Sequence, residues 1–353
     1  MRYLENWQTP PLTAPLLLVV ATLLQGCVVQ NSVSITRLGS GPIIHSGLDP
    51  SIGENIQGPS LIKVPDWVEN KLGQYYLYFA DHKGPYIRLA YADKLTGPWQ
   101  IYVPGTLQLA QSYFLTEPPT VTEEQAVQIR AAFAASGVQV DHDVVLEVTA
   151  PHIASPDVYV DHQRQHIVMY YHGLEGVAYQ VTRVATSSDG IHFEAGSEVL
   201  GKTYWRTFEQ GGFTYGLAMP GQVYRSSEPL SGYEKGPLLF NPDMRHSAVL
   251  RRGERLYVFW TQVGNVPEHV KLSHIDMGGD WMTWLVEGDQ ELLRPEHSWE
   301  GADAPLVPSK RSTAYGVVNQ IRDPAIFEEN GRVYLLYAIG GEAGIAIAEV
   351  NGL

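Results

Sequence analysis

The sequence predicts an all-β protein, a five-bladed β-propeller carrying a short helical insertion. Three observations predict it. Residues 58–102 read as four short strands, GPSLIKV, QYYLYFADHKG, YIRLAYA and the segment around QIY, each alternating apolar and polar positions and each ended by a Gly, Asp or Lys turn. The same cadence returns four more times, at a period of roughly 40–50 residues, which for strand repeats means propeller blades. Tyr (20) and Trp (8) are plentiful and sit mostly in the alternating runs, as strands that pack on both faces require.

Composition narrows the function. The hydrophobic content of 44% and charged content of 18% are those of a chain that buries a core. The net charge of -14 argues against a nucleic-acid partner, whose phosphates need a basic surface. The chain has one cysteine, Cys27, so no disulfide forms within it. Residues 12–24 are almost wholly apolar and LQGC follows, the pattern of a signal peptide ending at a bacterial lipobox. The expectation is that residues 1–27 are a signal peptide with a lipobox cysteine. Cys27 becomes the lipidated first residue of an exported cell-envelope lipoprotein, or, with ordinary cleavage, the chain is secreted. The membrane is then met only through that lipid.

Residues 28–353 are expected to form a single propeller domain. The lead-in after Cys27 holds two strand-like pieces, near Ile35 and at Ile43 to His45. Blade one spans 58–102, with Gly97-Pro98 in the turn before its last strand. Residues 104–151 break the cadence. TVTEEQAVQIRAAFAASG reads as a helix, with Thr122 and Gln125 as a capping box, acidic residues in the first turn and Gly137 after the end, and is expected to lie over one propeller face. Blade two follows at 152–196 with Asp189-Gly190 as a turn, blade three at 204–240, blade four at 245–287 and blade five at 322–350. Blade five stops after three strands. The lead-in is expected to supply its outer strand and close the ring, leaving no free sheet edge.

Propeller ligands meet the starts of first strands and the ends of second strands at one mouth. That geometry selects Asp323 and Glu342 as candidate catalytic carboxylates. It selects Asp81, His82, His172, Arg206, Arg245, His246 and Arg322 as substrate contacts. Asp323 precedes a proline at the start of an apolar strand, which holds its backbone extended. Glu342 follows Gly340-Gly341 at the end of the neighbouring strand, so antiparallel pairing is expected to bring both acids to the same funnel. The histidines suit hydrogen bonds to a ligand. No metal-ligand spacing such as HExxH accompanies them, so no metal or other cofactor is expected, a structural ion in the central channel staying open. Asp157, Glu209 and a sugar-stacking Trp205 are further candidates. No GxSxG, P-loop or dinucleotide glycine fingerprint appears.

The motifs DPAIFEENGRVYLLYA, SPDVYVDHQRQHIVMYYHG, ADKLTGPW and SSDGIHFE resemble those of five-bladed propeller glycosidases, nearest the family 43 glycoside hydrolases and their relatives. The resemblance covers nearly all of the chain after the leader. It implies hydrolysis of glycosidic bonds in oligo- or polysaccharides by an acid/base carboxylate mechanism, with a carbohydrate as the partner. It also implies an Asp base on blade one, a second Asp that orients and tunes, and a Glu acid. The sequence departs from that set: the blade-one Asp-Pro is Gly58-Pro59 here, blade two has Ser155-Pro156, and blade five keeps Asp323-Pro324. Two other readings stay open, a non-catalytic glycan-binding surface lipoprotein and a phosphorylase-like propeller that holds phosphate with Lys83, Arg245, His246 and Arg322.

Overall fold

The computed structural model describes residues 32–136 and 142–353. The expected leader, Cys27 and the helix-ending Gly137 lie outside them. Residues 33–353 form one compact unit, a ring of five antiparallel sheets.

Blade one comprises Gln57–Lys63, Tyr75–Ala80, Arg88–Ala92 and Gln100–Tyr102. Blade two comprises Ile153–Asp161, His166–Gly176, Tyr179–Ser187 and the short Glu194–Ala195. Blade three comprises Arg206–Gln210, Phe213–Ala218, Gln222–Ser226 and Glu234–Leu238. Blade four comprises Met244–Arg252, Arg255–Gln262, Val270–Asp276 and Val286–Leu293. Blade five comprises Arg322–Glu329, Arg332–Ile339 and Gly344–Asn351.

Both pieces of the lead-in pair with the last strand of blade five. Ser34–Arg37 runs antiparallel to it with Ser34 opposite Asn351, and Ile44–His45 pairs at its other end with Ile44 opposite Ile345. The ring therefore closes with strands from both ends of the chain. A buried carboxylate fixes the closure. Arg37 binds fully buried Glu300 at 2.8 Å, and the Tyr337 hydroxyl donates to the same Glu300 oxygen at 3.0 Å.

Five hydrophobic clusters hold the blades, one in each gap between neighbours. This is the burial that a lone meander lacks and that stacking supplies. Trp205 belongs to the gap between blades two and three. Its ring stacks on Tyr224 at 4.9 Å and Tyr170 at 6.1 Å, and it is 1% exposed. A Cβ on Gly216 would stand 1.9 Å from the indole, so glycine there is what lets the ring lie flat on the sheet. Trp205 thus packs between blades, and the sugar-stacking role is corrected.

The first strands of blades one, two, four and five each carry a register shift near their start, between Gln57 and Ser60, Ala154 and Asp157, Met244 and Ser247, and Arg322 and Ala325. Such bulges take residues out of the ladder and re-aim their side chains, and they accept a proline, which has no N–H to give. The residues taken out are Gly58-Pro59, Ser155-Pro156, Arg245-His246 and Asp323-Pro324. Gly58, Ser155 and Asp323 all have left-handed φ (63°, 47° and 47°), as does Tyr204 (56°) just ahead of blade three. The shared conformation shows that the X-Pro pairs are structural equivalents. It also corrects the extended backbone expected for Asp323.

The insertion carries α1 (Glu123–Ser136) and α2 (Val144–Thr149). The capping box forms: Thr122 N donates to Gln125 Oε1 at 2.9 Å, and Gln125 N donates to Thr122 Oγ1 at 3.2 Å. Asp143 caps α2 through Val145 N at 3.0 Å. Among the described residues no helix is long and apolar enough to cross a membrane.

Candidate functional site

The bulged ends of the first strands and the ends of the second strands meet at one end of the ring, where polar side chains are packed almost out of water. Arg245, Glu268, Arg322 and Glu342 form a continuous buried chain of charges, each at most 3% exposed. Glu268 Oε2 lies 3.3 Å from both Arg245 Nη1 and Arg322 Nε, and Arg322 Nη1 lies 2.8 Å from Glu342 Oε1. Two cations thus face two anions. Arg245 also donates to the carbonyls of Lys310 and Ser312, and Arg322 to Gln320.

The other oxygen of Glu342 accepts from Asn55 Nδ2 at 2.7 Å and faces His82 Nδ1 at 3.4 Å. Burial alone would raise the Glu342 carboxyl, but His82, Arg322 and Arg245 outweigh it and hold the group well below the usual carboxylate range. Glu342 is therefore ionised at neutral pH and has no proton to give. The geometry makes it an acceptor of hydrogen bonds.

Asp323 stands apart from that chain. Its Oδ1 lies 2.9 Å from His246 Nδ1, and both residues are at most 2% exposed. Asp323 Oδ2 and His246 Nε2 are buried with no hydrogen-bond partner. The half-buried Tyr204 ring lies between His246 and His172, 4.6 Å from each. His172 neighbours His152 at 5.9 Å and leaves its Nδ1 without a partner. Burial pushes the Tyr204 hydroxyl well up. Strained left-handed residues and unpartnered buried polar atoms in one place are the marks of a functional site.

The remaining candidates divide. Asp81 is half-buried at the rim, where it lies 3.4 Å from Arg88 Nη2 and accepts from Lys83 N at 2.9 Å. Arg206 lies away from the charge chain, donating to the carbonyls of Ser247 (2.8 Å) and Pro156 (2.9 Å). Asp157 accepts from Thr207 N and Oγ1 and so ties blade two to blade three. Glu209 is exposed at the opposite end of the ring.

Sequence reasoning missed Asn55, Glu147, Tyr204 and Glu268. Third strands begin at the same end as second strands finish, so Glu268, just before Val270–Asp276, was open to selection by the same geometric rule. Glu147 reaches the mouth from α2, where Lys83 Nζ donates to its carbonyl at 3.1 Å and His142 meets its carboxylate at 2.6 Å. No sequence signal marks Asn55. Gly58 also has its reason here: a Cβ on it would lie 2.9 Å from Ser155 Cα, so blade two occupies the space that a blade-one aspartate needs.

Three buried histidines give the site a pH signature. Burial lowers His152 to about 3 and also lowers His172 and His246, while Asp323 pulls His246 partly back. In the unfolded chain each titrates near 6.5. As pH falls through that value the unfolded chain takes up protons that the folded chain refuses, so stability falls as pH falls. The three together give a slope of up to about 4 kcal/mol per pH unit, at about 1.4 for each group. Urea unfolding at pH 7.5 and 5.5 measures this, and equal midpoints would contradict it.

Elsewhere, the hairpins of blades two and three form an open cleft of about 640 Å³ at the opposite end of the ring, lined by Tyr159, His162, Arg164, Glu209, Phe213 and Arg251 among others. It shares no residue with the buried ring. Among the described residues one group of three has metal-ligand spacing, His274, Asp276 and Glu287, within 4.8 Å of one another. It is partly exposed on blade four, and Arg255 already holds Asp276 at 2.6 and 2.9 Å.

No family model matches the chain. The uncharacterized protein R118 of Acanthamoeba polyphaga mimivirus is 34% identical over 322 residues, covering 84% of this chain and 83% of that one. The chain belongs to the family of that viral protein. Among solved structures it is similar to one from glycoside hydrolase family 130. That is a family of mannoside phosphorylases containing hydrolases that target β-1,2 mannosidic linkages in Candida mannan (TM-score 0.56, 12% identity, 90% of this chain and 93% of that one). It is also similar to a family 43 β-xylosidase/α-arabinofuranosidase from a compost microbial metagenome (TM-score 0.51, 11% identity, 90% and 94%). The five-bladed fold of the viral family is thus the fold of these glycosidases and their relatives; at such identities the likeness is one of fold.

Proposed function

We propose that this member of the R118 family is a glycan-active propeller, a glycoside hydrolase that cleaves oligo- or polysaccharide bonds at the ring mouth. One observation carries the reading: Asp323, on strained backbone and paired to His246, leaves its second carboxylate oxygen buried and unpartnered. Building a carboxylate into that position costs stability, and a structural role would have satisfied it. The half-buried Tyr204 beside His246, and the half-buried Asn55 and Asp81 beside Glu342 and Arg88, suit sugar hydroxyls.

The charge chain favours hydrolysis over phosphorolysis. Arg245 and Arg322 are neutralised by Glu268 and Glu342 and bonded to carbonyls and Gln320, and Lys83 is held by Glu147. A phosphate would have to displace these partners. Aryl arabinofuranosides, xylosides, galactosides and mannosides incubated with and without inorganic phosphate test the reading. Release independent of phosphate supports it. Release only with phosphate replaces it by phosphorolysis, and binding of a glycan without release replaces it by a binding module.

Export belongs to the same proposal. Labelled palmitate is expected to enter the wild-type chain in bacteria and to be lost in Cys27→Ser; labelling that persists in the variant contradicts it.

A further inference from the structure

Resting on the hydrolase reading, we propose that His246 Nε2 is the proton-accepting atom of the site, and that Asp323 is a positioning residue acting through His246. The geometry on which this stands is a carboxylate–imidazole pair with its working end free. Asp323 Oδ1 lies 2.9 Å from Nδ1, both residues are at most 2% exposed, and Asp323 stands in the bulge between Arg322 and Ala325. The Asp323 N–H also lies near Nδ1, at a long 3.4 Å, but the carboxylate oxygen is closer at 2.9 Å; it takes the Nδ1 proton as a hydrogen bond and fixes the tautomer, which leaves the lone pair on Nε2. Nε2 is buried and has no partner. The Tyr204 ring packs tilted against the imidazole at 4.6 Å and limits its rotation. The pair spans two blades, so neither residue alone can set the geometry.

The groups facing His246 come from every element packed on it. Asp323 belongs to blade five, Arg245 to its own strand, and Glu268 to the approach to the third strand of blade four. Tyr204 precedes blade three, and His172 lies within the second strand of blade two. Burial dominates over Asp323 and keeps the imidazole neutral in the resting site. Glu342 is ionised by its own cations and does not compete for the proton.

In the step this supports, a water gives a proton to His246 Nε2 while its oxygen bonds the anomeric carbon and the glycosidic carbon–oxygen bond breaks. The departing oxygen takes a proton from solvent at the mouth, and the imidazolium returns its own to solvent. One water is consumed, and Asp323 exchanges no proton in the step.

The test has an arm that needs no activity. Long-range ¹⁵N–¹H spectra of the labelled full chain at pH 7 are expected to show His246 neutral, with its proton on Nδ1. A proton on Nε2, or a doubly protonated ring, overturns the dyad. In kinetics, His246→Gln at unchanged melting temperature is expected to lose roughly 10²–10⁴-fold in kcat and to lose the acid limb of the kcat/KM profile. His246→Gln with Asp323→Asn is expected to be no slower than His246→Gln alone, since groups that act as a unit are not additive. An active His246→Gln enzyme with an unmoved acid limb, or additive losses in the double variant, overturns the dyad and leaves the hydrolase reading standing. A wild type inert on every glycan overturns the hydrolase reading, and the proton-transfer role falls with it.

Discussion

Asp323→Asn is expected to lower glycoside turnover by roughly 10²–10⁴-fold, with KM little changed and the fold intact. The substitution keeps the shape of the side chain and removes its charge. Asp323 has one partner for its side chain, His246 at 2.9 Å, and an amide presents that nitrogen with either a neutral acceptor or a second donor. Either way the preference for a proton on Nδ1 weakens, and the imidazole loses both its orientation and the charge that stabilises it once protonated. Stability is not expected to fall, because Asp323 Oδ2 has no hydrogen bond to lose. Side-by-side kinetics and thermal melting of wild type and variant decide it. Near-normal turnover at equal melting temperature would show that Asp323 is not part of the machinery.

The second large effect falls on stability. Arg322→Met is expected to cost about 3–5 kcal/mol, the usual loss when one partner of a buried ionic network is removed. Arg322 is 2% exposed and touches Gln320, Ser312, Glu268 and Glu342. Without it two buried carboxylates share one buried cation, Arg245. The loss relative to wild type should shrink as pH falls, because the stranded carboxylates take up protons and shed their charge. Arg255→Gln is the contrasting control. Its partner Asp276 is an exposed surface group, and such pairs contribute at most about 1 kcal/mol. Urea unfolding of the two variants at pH 7 measures the difference; similar small losses in both would contradict a network held by mutual neutralisation.

The fold was legible because strand alternation and turn residues repeat with a period. GPSLIKV, SPDVYVD, HSAVLRRG and DPAIFEENG read as equivalent first strands, and each begins at a register shift of the same kind. The missing outer strand of blade five could be read from its length alone, and both lead-in pieces fill it. The site was legible only as a neighbourhood. Asp323 and Glu342 were expected at one funnel, and both stand at that end of the ring, but each with partners of its own. The bulge takes Asp323 out of the ladder towards His246, while its neighbour Arg322 reaches Glu342; in a strand a one-residue displacement reverses the face. Nothing in the letters DP announces a left-handed φ. Glu268 and Asn55 enter through loops whose course depends on the whole ring, and Gly58 is explained only by how closely Ser155 approaches it.

The most direct test of the account is where a sugar binds. A crystal of Asp323→Asn, soaked with a glycan that the wild type cleaves, is predicted to hold it at the mouth between Tyr204, Asn55 and His82, with the glycosidic bond turned towards His246. Density for the glycan in the cleft between the blade-two and blade-three hairpins, with the mouth empty, would contradict the assignment of this ring as the active site.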